Sequence, residues 1–206
     1  MGNIISDEIL KYIDFDNGFY LECGAQNGLL QSNSLRLEQE KGWKGILIEP
    51  SPNAFNECQK NRSRENNIMH YGALVSSDYE EPTITGDFYG LAMSSINGKR
   101  LNKQDNFTIE VPAYTLNEVL ELYKIDKLDF LSLDIEGFEY WVIKDFDFKK
   151  WHPKFCLIEW NVGEDELFPL MESNGYENLG NISNFNLIDD VNYDGQHQDY
   201  LFKLKD

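Results

Sequence analysis

Apolar residues along this chain gather in short runs, and four of those runs stop on an acid. Phe19-Tyr20-Leu21 ends at Glu22, Gly45-Ile46-Leu47-Ile48 at Glu49, Leu128 to Leu133 at Asp134, and Phe155 to Ile158 at Glu159. Runs this short, apolar at nearly every position, read as strands buried on both faces of a parallel sheet. Between the first two lies a turn with glycines at Gly24 and Gly28, then a leucine-bearing helix from about Ser32 that stops at Gly42. Strand, Gly-turn, helix, strand is a βαβ unit, with a right-handed crossover and parallel strands. A ligand in such a unit lies beyond the strand C-termini, over the Gly-turn, with the acid of the second strand facing its ribose.

The remaining periodicities extend that plan. Ser6 to Phe15 sets Ile9, Leu10 and Ile13 at helical spacing, which predicts a short helix beside the sheet edge. Ser51 and Pro52 supply an N-cap and a first-turn proline for a helix that buries Ala54, Phe55 and Cys58. A third strand is expected over Ile68 to Val75. Thr83 to Tyr89 and Thr108 to Val111 read as short extra strands around a long loop, Gly90 to Arg100. Thr115-Leu116-Asn117-Glu118 is a capping box, with Leu116, Val119, Leu120 and Tyr123 on the helix face behind it. A helix should follow Gly137 directly, with Phe138, Trp141 and Val142 inward, and another should open on Glu164, Asp165 and Glu166. Tyr176 to Leu179 and Tyr200 to Leu204 have no helix between them, so they are expected as an antiparallel pair. With no repeat, low-complexity tract or linker, residues 1–206 read as one domain, with a helix in 1–17 and an insertion at 83–111.

The turn itself narrows the ligand. A dinucleotide fingerprint needs G-x-G-x-x-G, and here Gln26 and Leu29 stand where its second and third glycines belong. An acid two residues before a G-x-x-x-G turn suits instead a ligand without phosphates and with a cationic end, of which S-adenosylmethionine is an example. The run E-x-G-A-x-x-G from Glu22 to Gly28 is followed by S-N-S-L-x-L from Ser32 and G-W-K-G-I-L-I-E-P-S-P from Gly42, and then by L-S-L-D-I-E-G-F-E from Leu131. Together, and in this order, these segments resemble the FkbM-type methyltransferase family. Glu22 is a departure, since the family has Asp there; the charge is kept and one methylene is added.

The resemblance implies a Rossmann-like class I methyltransferase sheet, mostly parallel with a C-terminal antiparallel hairpin. It implies S-adenosylmethionine as cofactor and O-methylation of a hydroxyl on a sugar, a glycan or another small molecule. Glu22 would then face the amino group of the methionine moiety with the backbone of Gly24, while Ala25, Gln26 and Gly28 complete the turn. Asn27, Ser32 and Asn33 would be supporting donors at the helix N-terminus. Glu49 would accept both ribose hydroxyls, with Pro50 fixing its backbone, and Ala73 and Leu74 would meet the adenine. Asp134 would lie near the transferred methyl, and Asp134 or Glu159 would take the proton of the hydroxyl. A second use of the same acids is Mg²⁺, for which Asp134, Glu136, Glu159 and Asn161 offer hard oxygens on adjacent strand ends. The loop from Gly90 to Arg100 resembles the family's region between the third and fourth core strands and is expected as a lid.

Composition adds limits. The 206 residues carry 36 acids against 18 Lys and Arg, a net charge of −18, which repels phosphate backbones and argues against a nucleic-acid partner. A small-molecule or glycan acceptor remains. Cys23, Cys58 and Cys156 are odd in number and form no C-x-x-C or Cys/His pattern, so zinc is not expected and a reducing, cytoplasmic setting is. No apolar run is long enough to span a bilayer. His70, His152 and His197 are too scattered for a triad. Two other readings stay open on the residues alone: a nucleotide-binding oxidoreductase, and a non-catalytic module that keeps the fold.

Overall fold

In the computed structural model, residues 4–62, 64–88, 108–160, 164–183 and 198–205 are described. The first half runs α1 (Ile4–Tyr12), β1 (Phe19–Cys23), α2 (Leu35–Lys41), β2 (Lys44–Glu49), α3 (Pro52–Asn61) and β3 (Asn67–Tyr71). Three short strands follow, β4 (Ala73–Leu74), β5 (Thr83–Gly86) and β6 (Ile109–Tyr114). The second half is α4 (Leu116–Leu122), β7 (Phe130–Leu133), α5 (Glu139–Ile143), α6 (Phe148–Trp151), β8 (Phe155–Trp160), α7 (Glu164–Ser173), β9 (Tyr176–Asn181) and β10 (Gln198–Leu204).

Seven strands make one sheet in the order β3-β2-β1-β7-β8-β10-β9. The neighbours from β3 to β8 are parallel, and β10 runs antiparallel to both β8 and β9. This is the expected Rossmann-like methyltransferase sheet with its terminal hairpin. The chain builds outward from β1 in one direction and then restarts at β7 on the other side, so the crevice of the fold opens between the ends of β1 and β7.

The strands are buried on both faces, as their composition demands. Alternate residues send Tyr20, Leu47 and Leu157 to the side of α1, α2 and α3, and Leu21, Ile46, Ile48 and Ile158 to the side of α4, α5 and α7. Helix ends follow the capping signals. Ser51 accepts from the Ala54 N–H, Thr115 and Glu118 form a reciprocal capping box, and Gly42 ends α2 in the left-handed region. The brief α6 was not anticipated; the Asp147 carboxylate starts it by accepting from the Lys149 and Lys150 N–H groups.

Two expectations need correction. The third strand does not run unbroken from Ile68 to Val75. It splits at Gly72, where a Cβ would press on the Tyr114 ring, so β3 stays in the main sheet and β4 leaves it to pair with β6. The extra strands therefore form a small second sheet in the order β4-β6-β5 beside the crevice. Trp141 does not face inward. It is 49% exposed, with the Lys144 ammonium 4.8 Å from its ring centre, and Glu139 takes the buried side of α5 with Val142 and Ile143. The predicted lid, Gly90 to Arg100, lies outside the described residues. Among those residues no helix is long and apolar enough to cross a membrane.

Candidate active site

A cavity of about 830 Å³, open mouth included, lies over the C-terminal ends of β1, β2, β4 and β7. Gly24 admits it. At φ +81, a Cβ on Gly24 would overlap the Asp134 carbonyl oxygen, so only glycine lets the ends of β1 and β7 come this close. The Gly24 and Ala25 N–H groups both donate to the Ile48 carbonyl, 3.1 and 3.0 Å away, which ties the turn to the end of β2.

Glu49 closes that end. One carboxylate oxygen accepts the Gln26 N–H at 2.8 Å and the other accepts the Ser51 N–H at 2.8 Å. Burial pushes its carboxyl up to about 7, against the pull of those two backbone bonds. Each carboxylate oxygen has a second lone pair, so the group can still receive two hydroxyls. Ile48, Ala54, Ala73, Leu74 and Phe88 give the cavity an apolar wall.

The opposite end is acidic. Asp134 and Glu136 line the cavity, and Glu159 stands behind them, 1% exposed. One oxygen from each of the three lies within 4.8 Å of the others. Burial, and then the charge of Glu159, drives the Asp134 carboxyl well above the usual range; burial likewise lifts Glu159 to about 8. A side-chain hydrogen bond between the two carboxyls adds to the rise at Asp134 and holds Glu159 down, against its burial. Asp199, also buried, sits directly opposite Glu159 in the β8–β10 register.

The expected cofactor contacts divide into two groups. Gly24, Gln26, Glu49, Pro50, Ala73, Leu74 and Asp134 line the cavity. The others shape the turn from behind. Glu22 accepts from the Asn33 N–H at 2.8 Å and the Ser32 hydroxyl at 3.0 Å, and it also receives the Ser34 hydroxyl. Asn33 donates onward to the Ser132 hydroxyl, and Asn27 caps the turn by accepting from Leu29 and Leu30. Ala25 is buried in the core, and a Cβ on Gly28 would press on Arg62 and Cys58. Asn161, proposed as a metal ligand, lies outside the described residues.

Sequence reasoning missed two residues that organise this region. Arg62, 3% exposed, donates to Glu38, the Gly28 carbonyl, Ser32, Ser34 and Tyr20. Glu139 accepts the Ile135 and Gly137 N–H groups. The motif segment that carries Asp134 also carries Glu139, and that was its only signal. Phe88, Leu30 and Gln31 also line the cavity without having been singled out.

The Methyltransferase FkbM domain family matches residues 22–178. Among solved structures, the chain resembles Streptococcus pneumoniae Sp1610, assigned as a tRNA (m1A22) methyltransferase. The identity is 10% and the TM-score 0.54, with 96% of this chain and 68% of that one covered. It also resembles the methyltransferase in complex with the Haloferax volcanii Trm112 methyltransferase activator, at 9% identity and a TM-score of 0.50, covering 98% and 90%. At such identities the likeness is one of fold. No curated protein sequence matches this chain.

Proposed function

The chain belongs to the FkbM methyltransferase family, and from that premise we propose that its cavity binds S-adenosylmethionine and that the protein methylates a hydroxyl oxygen of a sugar, a glycan or another small molecule. One observation carries the reading: buried Glu49, tied to the Gly-turn through Gln26, joins an apolar wall at one end of the cavity to a carboxylate pair at the other. That layout fits a nucleoside with a cationic tail. Glu49 would hold the ribose, Ala73 and Leu74 with Phe88 would flank the base, and the Asp134 loop would face the sulfonium end.

S-adenosylmethionine supplies an electrophilic methyl group, and the chain's own task is then to position an acceptor and receive its proton. Asp134 is the group at the cavity, with Glu159 hydrogen-bonded behind it. A positive charge at this end of the cavity favours the ionised form of Asp134, which readies it as the base. The Mg²⁺ reading is the alternative. It has only the close approach of Asp134, Glu136 and Glu159 behind it. Full activity in chelator would remove the metal; activity lost in chelator and restored by Mg²⁺ would establish it.

Calorimetry tests the cofactor directly. S-adenosylmethionine or S-adenosylhomocysteine should bind at micromolar or tighter affinity, and NAD should not. Glu49→Ala should cost about 2–4 kcal/mol of that binding, because two charge-assisted hydrogen bonds disappear together. NAD binding with no response to either sulfur nucleoside would end the reading in favour of an oxidoreductase. A methyl-transfer screen over sugars, glycolipids and polyketide alcohols tests the acceptor class.

A further inference from the structure

We propose that Glu139 is a positioning residue for the methyl-transfer site: its carboxylate holds the loop Asp134 to Gly137 in the shape that walls the cavity and aims Asp134 into it. The inference rests on reading that cavity as the cofactor site.

The loop begins where the sheet stops. Asp134 follows the last residue of β7, and its N–H still reaches the Cys23 carbonyl at 3.2 Å. Beyond it the ladder can no longer satisfy the backbone, and N–H groups removed from water need acceptors. Ile135 and Gly137 both donate to the same oxygen, Oε1 of Glu139, at 3.0 Å each. One side-chain atom therefore fixes the two N–H groups that bracket Glu136.

What it fixes is a conformation the backbone would not choose. Glu136 sits at φ +62 and Gly137 at φ +97. A non-glycine residue in that region is strained, and the strain persists only where the surroundings impose it. Packing does not impose it at Gly137, where an added Cβ would meet nothing within 4 Å. The hydrogen bonds to Glu139 do. Asp134, Ile135 and Glu136, the residues so arranged, all line the cavity.

Glu139 itself is placed at a cost. It is 2% exposed, in the first turn of α5, with Asp134 and Glu159 close enough to repel it. The N-cap residue of that helix, Phe138, offers no side-chain cap, and the Glu139 side chain turns back to the loop instead. A buried acid among acids is retained only if its bonds repay the burial. Here two of those bonds go to the loop and one to the N–H of Glu139 itself, and none of the three to the sheet.

Because both N–H groups use one oxygen, glutamine can replace the acid without losing either bond. This separates an acceptor role from a charge role. In the full-length protein, Glu139→Gln should bind S-adenosylhomocysteine within about 3-fold of the wild type. Glu139→Ala should bind roughly 10–100-fold more weakly, as expected for two lost hydrogen bonds. Gly137→Ala strains the same loop from an exposed position with room for the methyl, and it should weaken binding about 10-fold while leaving the melting temperature within a few degrees of the wild type. Folded Glu139→Ala with wild-type affinity overturns the proposal, and so does Glu139→Gln as weak as Glu139→Ala. If Glu139→Ala does not fold, Gly137→Ala decides: wild-type affinity there overturns it, and weakened affinity with an intact melt supports it. A wild-type protein that fails to bind S-adenosylhomocysteine would instead remove the cofactor reading on which the proposal rests.

Discussion

Arg62 is the residue on which the Gly-turn rests. It follows the last residue of α3 in the polar run Lys60 to Asn67, where a lone arginine looks solvated. The fold carries it under the turn instead, 2.6 Å from Glu38 and 3.8 Å from Glu22, with the Gly28 carbonyl and three hydroxyls as further acceptors. Nothing in the local sequence reports this, because every partner but Gly28 lies on β1, on α2 or in the segment just before it. The same network binds Glu22, whose place in the motif was legible while its bonds to Ser32, Asn33 and Ser34 were not. Arg62→Ala should cost about 3–5 kcal/mol in urea unfolding, the penalty of leaving buried acids without their counter-charge. Arg62→Lys should recover only part of it, since one ammonium cannot reproduce the fork that reaches Glu38, Tyr20 and Gly28 together. Wild-type stability in Arg62→Ala would mean that water, not the arginine, satisfies Glu22 and Glu38.

At the scale of elements, the pattern of apolar runs was nearly sufficient. Strands buried on both faces are continuous in sequence, and caps such as Ser51, Gly42 and the Thr115–Glu118 box mark helix ends by local chemistry. What failed depended on contacts between distant segments. The split at Gly72 is set by Tyr114, some forty residues on and brought near only when β6 pairs with β4. The outward turn of Trp141 is set by α5 being five residues long, too short for a helical period to declare its buried face. Gly24 is the case where local and distant constraints coincide. Gly24→Ala should abolish measurable S-adenosylhomocysteine binding by calorimetry, because the methyl collides with the Asp134 carbonyl while φ +81 already disfavours alanine. The backbone cannot shift to relieve it, since the Asp134 N–H is itself bonded to Cys23. Unchanged binding in Gly24→Ala would show that the β1 and β7 ends do not meet this tightly.

For the whole molecule, the acids that build the site also work against the fold. Glu49 and Glu139 are raised to about 7 and Glu159 to about 8 from 4.5, in each case chiefly by burial. A raised carboxyl binds more protons folded than unfolded, so its contribution is complete below the unfolded value and is lost as pH climbs through the folded one. His70 has the opposite sign. Burial lowers it to about 4 from 6.5, so its contribution is present above 6.5 and is lost as pH falls through 4. The net charge of −18 adds self-repulsion that grows as the carboxyls ionise. The ligand-free protein should therefore melt highest near about pH 5–6 and lose stability toward about pH 8. Glu159→Gln removes one ionisation while keeping the shape of the side chain. It should raise the melting temperature at pH 8 by roughly 3–10 °C, from about 1–3 kcal/mol, with little change near pH 5, and it should lower methyl transfer at the same time. A ligand with a positive charge at the acidic end should recover the same energy, so S-adenosylmethionine should raise the melting temperature more at pH 8 than at pH 6. Differential scanning fluorimetry across that range checks both. A flat profile between those pH values, or a Glu159→Gln protein that melts lower at pH 8, would mean that the pair with Asp134 stabilises the fold, and that its acids are structural before they are chemical.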